Sequence, residues 1–319
     1  MDIAHHITRR KWQDRAFQVL GILCTLIGIV TLAALLIKLA YSGLPVVMRP
    51  DTTREAQANN NPAAATTNFF LSNASYLPGK AGILTALVGS LCVMAVTFAA
   101  AVPLGVAAAV YLEEYARKNW LTSLIEINIS NLAGVPSITY GLMSLWLFGY
   151  LLGLTSSVLV GGLTLALLVL PIIIVTTREA IRSIPSAIRE AAYACGATKW
   201  QTIRYHLLPY SLGGIATGTI IAMSRAVGES APLIVIGAAG WVSSLPRAPF
   251  TPHFPFVSFR WLSSDFTVLP IQMFTWSGDP DPRFQDNAAA AGLVLIVFTL
   301  TMNAIAIVIR YRVRRKIKW

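Results

Sequence analysis

Charge is what this sequence has least of: 12% of its 319 residues are Asp, Glu, Lys or Arg, against roughly 25% in an ordinary soluble domain. With 55% hydrophobic residues, that scarcity excludes water as the solvent for most of the surface and leaves lipid. The signatures of catalysis are missing too. No G-x-x-x-x-G-K-[ST] phosphate loop, no H-E-x-x-H, no C-x-x-C and no G-x-S-x-G occurs, so any energy from ATP must enter through another subunit. No cofactor is expected, and no metal site. The three cysteines, Cys24, Cys92 and Cys195, fall in apolar runs or in a loop assigned below to the cytoplasm, which excludes an extracytoplasmic disulfide.

What is present is a series of uncharged runs. Crossing about 30 Å of hydrocarbon takes roughly 20 helical residues. Phe17 to Tyr41 qualifies, with Lys38 its one charge, and reads as a retained anchor because it is longer than a signal-peptide core and lacks an A-x-A-like end. Ala81 to Leu112 follows, kinked by Pro103 and Gly105. Ile127 to Thr177 suits two spans, with a turn near Gly153-Leu154-Thr155-Ser156-Ser157. A fifth span is expected from Ser211 to Gly240, interrupted by Arg225 and Glu229, and a sixth from Asn287 to Ile309. The fold class is thus an all-α polytopic membrane protein with six transmembrane helices.

Six spans put both termini on one side, and the distribution of Lys and Arg says which. They gather at the N-terminus (1–16), around Arg117-Lys118, between residues 178 and 204, and in the basic tail (311–319), whereas segments 42–80 and 241–286 carry three each. Positive charge in short loops stays in the cytoplasm, so both termini are expected there, in a bacterial inner membrane. The net charge of +11 flanks the spans, where topology and anionic lipid account for it without nucleic acid. Segment 42–80, with its Asn59-to-Thr67 stretch, reads as a flexible periplasmic loop. Segment 241–286, rich in aromatics and proline, is expected to fold against the membrane surface or a partner. Core and coupling elements lie within 81–310.

Between the fourth and fifth spans, Pro185 suits a helix start and Gly196 a left-handed closing residue, while Thr198 and Gln201 make a capping box for a second helix, with Pro209 opening the next. Ile188, Ala191, Ala192 and Cys195 share a face, with Arg189 and Glu190 turned elsewhere. Such a unit (183–209) is either a plug for a cytosolic groove or a re-entry loop lying on lipid. The run Glu190-Ala191-Ala192, then Gly196, then Leu208-Pro209 resembles the EAA loop of bacterial ABC-importer permeases, which implies docking to an ATPase subunit. His206 stands where that pattern usually has an aliphatic residue, and a neutral histidine on an apolar face is expected there.

Arg225 in a span costs about 2.5–3.5 kcal/mol on insertion scales unless it faces a cavity or partner. Glu229, four residues on, can pair with it without filling all five guanidinium donors. A planar cation with spare donors suits a tetrahedral oxyanion; a structural ion pair locking the helix to a neighbouring subunit is the other reading. Gly134, Pro136 and Gly141 in the third span, and Gly228 and Pro232 in the fifth, are places for unwound backbone, with Ser137, Thr139 and Ser230 as added hydroxyl donors. Gly214 to Gly218 is a small-x-x-x-small packing pattern.

Leu132-Ala133-Gly134-Val135-Pro136-Ser137-Ile138-Thr139-Tyr140-Gly141, Arg225-Ala226-Val227-Gly228-Glu229-Ser230-Ala231-Pro232 and Leu269-Pro270-Ile271-Gln272 resemble the phosphate-importer permeases, the PstA type more than the PstC type. The resemblance covers roughly residues 80 to 310. It implies a type I ABC-importer permease (MetI-like) fold, a second permease chain (PstC-like), a PstB-like ATPase dimer and a periplasmic PstS-like phosphate-binding protein. The rivals are the same machine for sulfate or molybdate, and a stand-alone secondary transporter or channel, which has no need of a docking helix. A membrane-embedded enzyme is disfavoured, since no paired carboxylates or His/Asp clusters lie within the spans.

Overall fold

The computed structural model describes residues 3–52, 66–238, 240–242, 244–247 and 258–316, and every regular element among them is helical. Five stretches are long and apolar enough to cross a bilayer: Lys11–Val47, Leu84–Tyr115, Val158–Arg182, Lys199–Gly228 and Arg283–Arg312. A bent pair makes six when counted as one span.

Helix α1 (Ile3–Val47) takes in the expected N-terminal segment and anchor in one rod. Its residues from Trp12 to Ile37 are exposed all round, as a lipid-facing helix should be. At its far end Gly43 lies so close to the backbone of Ala289 and Ala290 that a Cβ would stand 2.8 Å from it. Those two alanines belong to α11 (Arg283–Lys316), the last helix.

The centre is α2 (Leu84–Val110), extended by a π turn at Tyr111–Tyr115, packed on α5 (Val158–Arg182). Small residues let these backbones approach: Gly162 faces Val96, and Gly105 faces Ile173. On the other side of α5 lies α8 (Leu208–Gly228), where Gly214 meets Ala180 and Gly218 meets Thr176. The small-x-x-x-small pattern thus serves helix packing.

The third span departs from expectation. It is α3 (Trp120–Leu132) and α4 (Ser137–Ser144, continued by a π turn over Leu145–Leu151), bent by 110° at residues 133–136. Pro136 takes extended backbone (ψ 135°) at the start of α4 and has no N–H to continue α3, so the interruption seen in the sequence is a corner. The Tyr140 hydroxyl donates to the Leu132 carbonyl across it at 2.8 Å. α3 starts seven residues before Ile127, where Asn119 Oδ1 caps it by accepting from the Thr122 N–H at 2.9 Å, and its carboxylate, Glu126, meets Arg178 of α5. The expected turn after this pair is present, with Gly153 at φ 63°.

The fifth span is displaced as well. It begins at Lys199, as α7 (Lys199–Thr202) and a π turn at Ile203–Leu207 running directly into α8, and it ends at Gly228 rather than Gly240. Pro209 therefore lies inside a continuous rod: it lacks an N–H, and the π turn shifts the ladder so that the Leu208 N–H reaches the Ile203 carbonyl. Beyond Gly228 the backbone extends at Glu229 (ψ 118°) before the short α9 (Ala231–Val235).

Two outer segments pack more tightly than expected. Residues 53–65, which carry most of the Asn-rich stretch, lie outside the described residues, but 66–80 are tied down. Arg49 donates to the carbonyls of Thr67 (3.0 Å), Pro78 (2.9 Å) and Ala81 (2.9 Å). Phe69 is fully buried against Trp276 of α10 (Leu269–Ser277) and, with it, clusters around Phe284. Tyr76 stacks on Trp241 at 4.2 Å. The part of segment 241–286 from residue 258 on thus packs on the chain's own helices, because Phe266, Leu269 and Trp276 bury there; Phe250, Phe254 and Phe256 are outside the described residues.

Candidate functional site

The loop between α5 and α8 closes as its residue types demand. Pro185 precedes α6 (Ser186–Ala194), and Gly196 takes φ 80° just past its end, a conformation that costs a side-chain-bearing residue about 1–2 kcal/mol. The Gly196 N–H reaches Tyr193 O at 2.9 Å and the Ala197 N–H reaches Ala192 O at 3.0 Å, the paired bonds of a Schellman closure. Thr198 Oγ1 accepts from the Gln201 N–H at 3.3 Å, and Gln201 Oε1 from the Thr198 N–H at 2.8 Å, completing the capping box.

The predicted apolar face of α6 splits. Ala192 is buried, and Ile188 is half-buried against the cluster of Val110, Ile181, Ile184, Ile203 and Leu207, while Glu190, Ala191 and Cys195 are exposed. The surface offered outward is therefore Ala187, Glu190, Ala191 and Ala194, bordered by Tyr193 and Trp200. Leu208 and Pro209 are half-buried at the start of α8. His206 is exposed, not on an apolar face, because on that turn Ile203 and Leu207 point inward.

A network of charges that the sequence reading counted only towards topology lies behind this loop. Glu113, on the π turn ending α2, accepts from Arg182 Nε at 2.8 Å and from Arg178 Nε at 3.4 Å. Glu126 of α3 pairs with the Nη2 atoms of both arginines. Glu114 receives Arg189 Nε at 3.0 Å and Nη2 at 2.9 Å, a two-point contact from α6. These partners are 52 to 75 residues apart in the chain. The one sequence signal that pointed to them is Arg178, set directly against a charge-free run, where a buried partner is needed.

The second candidate region is the break at Glu229. Arg225 occupies the last turn of α8, where the negative end of the helix dipole favours a cation. Its Nε lies 3.5 Å from Glu229 Oε1, and among the described residues that long contact is the sole polar partner of the guanidinium. Its four Nη donors are thus unfilled. Glu229 is turned inward beside Ser90, Leu165 and Leu233 around a cavity of about 10 Å³. α9, just after Ser230, packs on α4 so closely that a Cβ on Gly141 would stand 2.8 Å from Pro232 Cα.

Of the hydroxyls expected to assist, Thr139 already donates to the Pro136 carbonyl at 2.7 Å, so its proton is engaged within the first turn of α4. Ser137 and Ser230 are half-buried. Among the described residues none of the three hydrogen-bonds to Arg225 or Glu229. The structure brings the two broken segments together through Gly141 and Pro232 rather than through these hydroxyls.

Comparison with known proteins places the chain among transport permeases. Residues 101–319 match the family described as the binding-protein-dependent transport system inner membrane component. The chain belongs to that family. Among similar proteins, the phosphate transport system permease protein PstA of Yersinia pestis is 33% identical over 234 residues, 72% of each chain. PstA 1 of Mycobacterium tuberculosis (strain H37Rv) is 32% identical over 235 residues, covering 74% of this chain and 71% of that one. The probable ABC transporter permease YqgI of Bacillus subtilis is 31% identical over 241 residues, 75% of this chain and 81% of its own. Among solved structures, a bacterial alginate ABC transporter superposes with a TM-score of 0.61 at 14% identity, covering 98% of this chain and 99% of that chain. The inward-facing methionine transporter MetNI gives 0.53 at 18% identity, over 73% and 94%. These show the fold of ABC-importer permeases. As an inner membrane component of such a system the chain is a polytopic transport subunit, and its family works with an ATPase and a substrate-binding protein.

Proposed function

We propose that this permease carries inorganic phosphate inward as one half of an ATP-driven importer's channel. A PstC-like second permease would supply the other half, a PstB-like ATPase dimer the energy, and a periplasmic PstS-like protein the anion. The observation that carries the substrate class is Arg225: a guanidinium inside a broken span, held at one edge by Glu229 and with its Nη donors unfilled. Bidentate donation to a tetrahedral oxyanion is the chemistry such a group offers, and the relatives named for phosphate transport select phosphate among the oxyanions. Ser230 and Ser137, beside the break, are candidate secondary donors; Thr139 positions α4 instead.

On the cytoplasmic side the exposed edge of α6, with Glu190 and Ala191, is the surface for the ATPase, while Ala192, Gly196, Leu208 and Pro209 shape the loop from behind. ATP hydrolysis belongs to that separate subunit, and this chain is not an enzyme. The excess of Lys and Arg at the α6 end of the molecule supports cytoplasmic termini in a bacterial inner membrane.

The test is uptake of labelled phosphate by the complex in proteoliposomes, with sulfate and molybdate as competitors. ATP-dependent uptake blocked by unlabelled phosphate alone supports the reading, whereas uptake of sulfate or molybdate in its place keeps the machine and overturns the substrate. In the same preparation Glu190→Ala is expected to weaken co-purification of the ATPase; undiminished association would remove Glu190 from the docking surface.

A further inference from the structure

The coupling helix α6 is nine residues long and exposed along most of its length. Two features hold it to the transmembrane body. Ile188 rests on an apolar cluster, and Arg189 hydrogen-bonds to the body beside it. Among the described residues Arg189 is the sole α6 side chain that hydrogen-bonds outside its own helix. It donates twice to Glu114 and also to the carbonyls of Ile184 (3.0 Å) and Ile181 (3.2 Å) at the end of α5.

Apolar contact transmits a push but resists separation weakly, since dispersion is lost within an ångström. Two charge-assisted bonds from one guanidinium onto a single carboxylate oxygen, here Glu114 Oε1, resist separation far better. Glu114, with 8% of its side chain exposed, sits where solvent screens little. It also sits on the π turn of α2, next to Glu113, which binds α5 through Arg178 and Arg182; those arginines in turn bind Glu126 of α3. A π turn is a place where a helix re-registers readily.

We propose that the Glu114–Arg189 pair is the strut through which motion of α6 is passed to α2, and from there by Glu113 to α5 and α3. Both are positioning residues: neither touches the anion or ATP. The inference rests on α6 being the ATPase-docking element, and it adds the route by which docking moves the path.

The test uses the reconstituted complex, comparing wild type with Glu114→Gln, Arg189→Gln, the double variant and Arg189→Lys. ATPase association, hydrolysis rate and phosphate delivered per ATP are read together. The strut predicts unchanged association and continuing hydrolysis, with phosphate per ATP falling about ten-fold in each Gln variant and no further in the double, because the pair acts as one unit. Arg189→Lys, which keeps charge but loses the two-point contact, falls in between. Wild-type phosphate per ATP in either Gln variant, additive losses in the double, or loss of ATPase association would each overturn it. If instead Glu190→Ala leaves association untouched while the Gln variants uncouple transport, the docking residue is wrong and the strut stands.

Discussion

Two arginine–glutamate groups stand at opposite depths of this permease, and they are built differently. At the α6 end of the molecule Arg178 lies between two carboxylates with 9% of its side chain exposed, and Arg189 is bonded to one carboxylate and two carbonyls. At the helix break Arg225 has one 3.5 Å contact and 37% of its side chain exposed. The first group ties the arginines to carboxylates on neighbouring helices with little solvent access, so its work is to hold helices together. The second is unsaturated in a setting where an unsatisfied cation is costly, which is tolerable when a passing anion completes it.

If that contrast is right, stability and transport should separate between the two groups. The largest effect is expected for Arg178→Ala, which removes the buried arginine between Glu113 and Glu126, leaves them only Arg182, and destabilises by about 3 kcal/mol, a fall in Tm of roughly 5 °C in detergent; an unchanged melt would break the comparison. Next comes Gly196→Val, which forces a β-branched residue into the left-handed region and is expected to weaken ATPase association about five-fold, as about 1 kcal/mol requires. Arg225→Gln should leave the melt within about 0.5 kcal/mol of wild type, since it loses a single long, partly exposed contact. The smallest effect belongs to the surface pair Asp281–Arg283, 2.8 Å apart, where hydrogen bonds from Arg283 hold the Asp281 carboxyl below its usual range. A lowered folded-state value contributes stability above the ordinary carboxylate range and loses it as pH falls through the lowered value. Melts of wild type and Asp281→Asn should therefore differ slightly at neutral pH and converge in acid.

The sequence makes the local parts of this molecule legible. Pro185, Gly196, Thr198 and Gln201 specify their turn and caps by short-range chemistry, and each is found in that role. Pro136 and Gly134 announce an interruption, but the 110° corner depends on how α4 meets α9, which no single segment encodes. Most of the buried charge group is out of reach of a linear reading because Glu113, Glu114 and Glu126 meet their arginines only when α2, α3, α5 and α6 assemble. Ala191 and Ala192 show the same limit: periodicity puts both on one face, and packing buries one and exposes the other. The outer segments mislead for a further reason, since Phe69 and Trp276 bury against each other across more than half the chain.

The central claim is that Arg225 is kept unsaturated for the anion. It is tested most directly by phosphate uptake in proteoliposomes, comparing Arg225→Gln with wild type at matched ATPase content and hydrolysis. Removing a charge-assisted contact worth about 2–3 kcal/mol predicts uptake about 30- to 100-fold lower with the complex intact. Uptake at the wild-type rate would contradict the claim and leave Arg225 as a structural residue of α8.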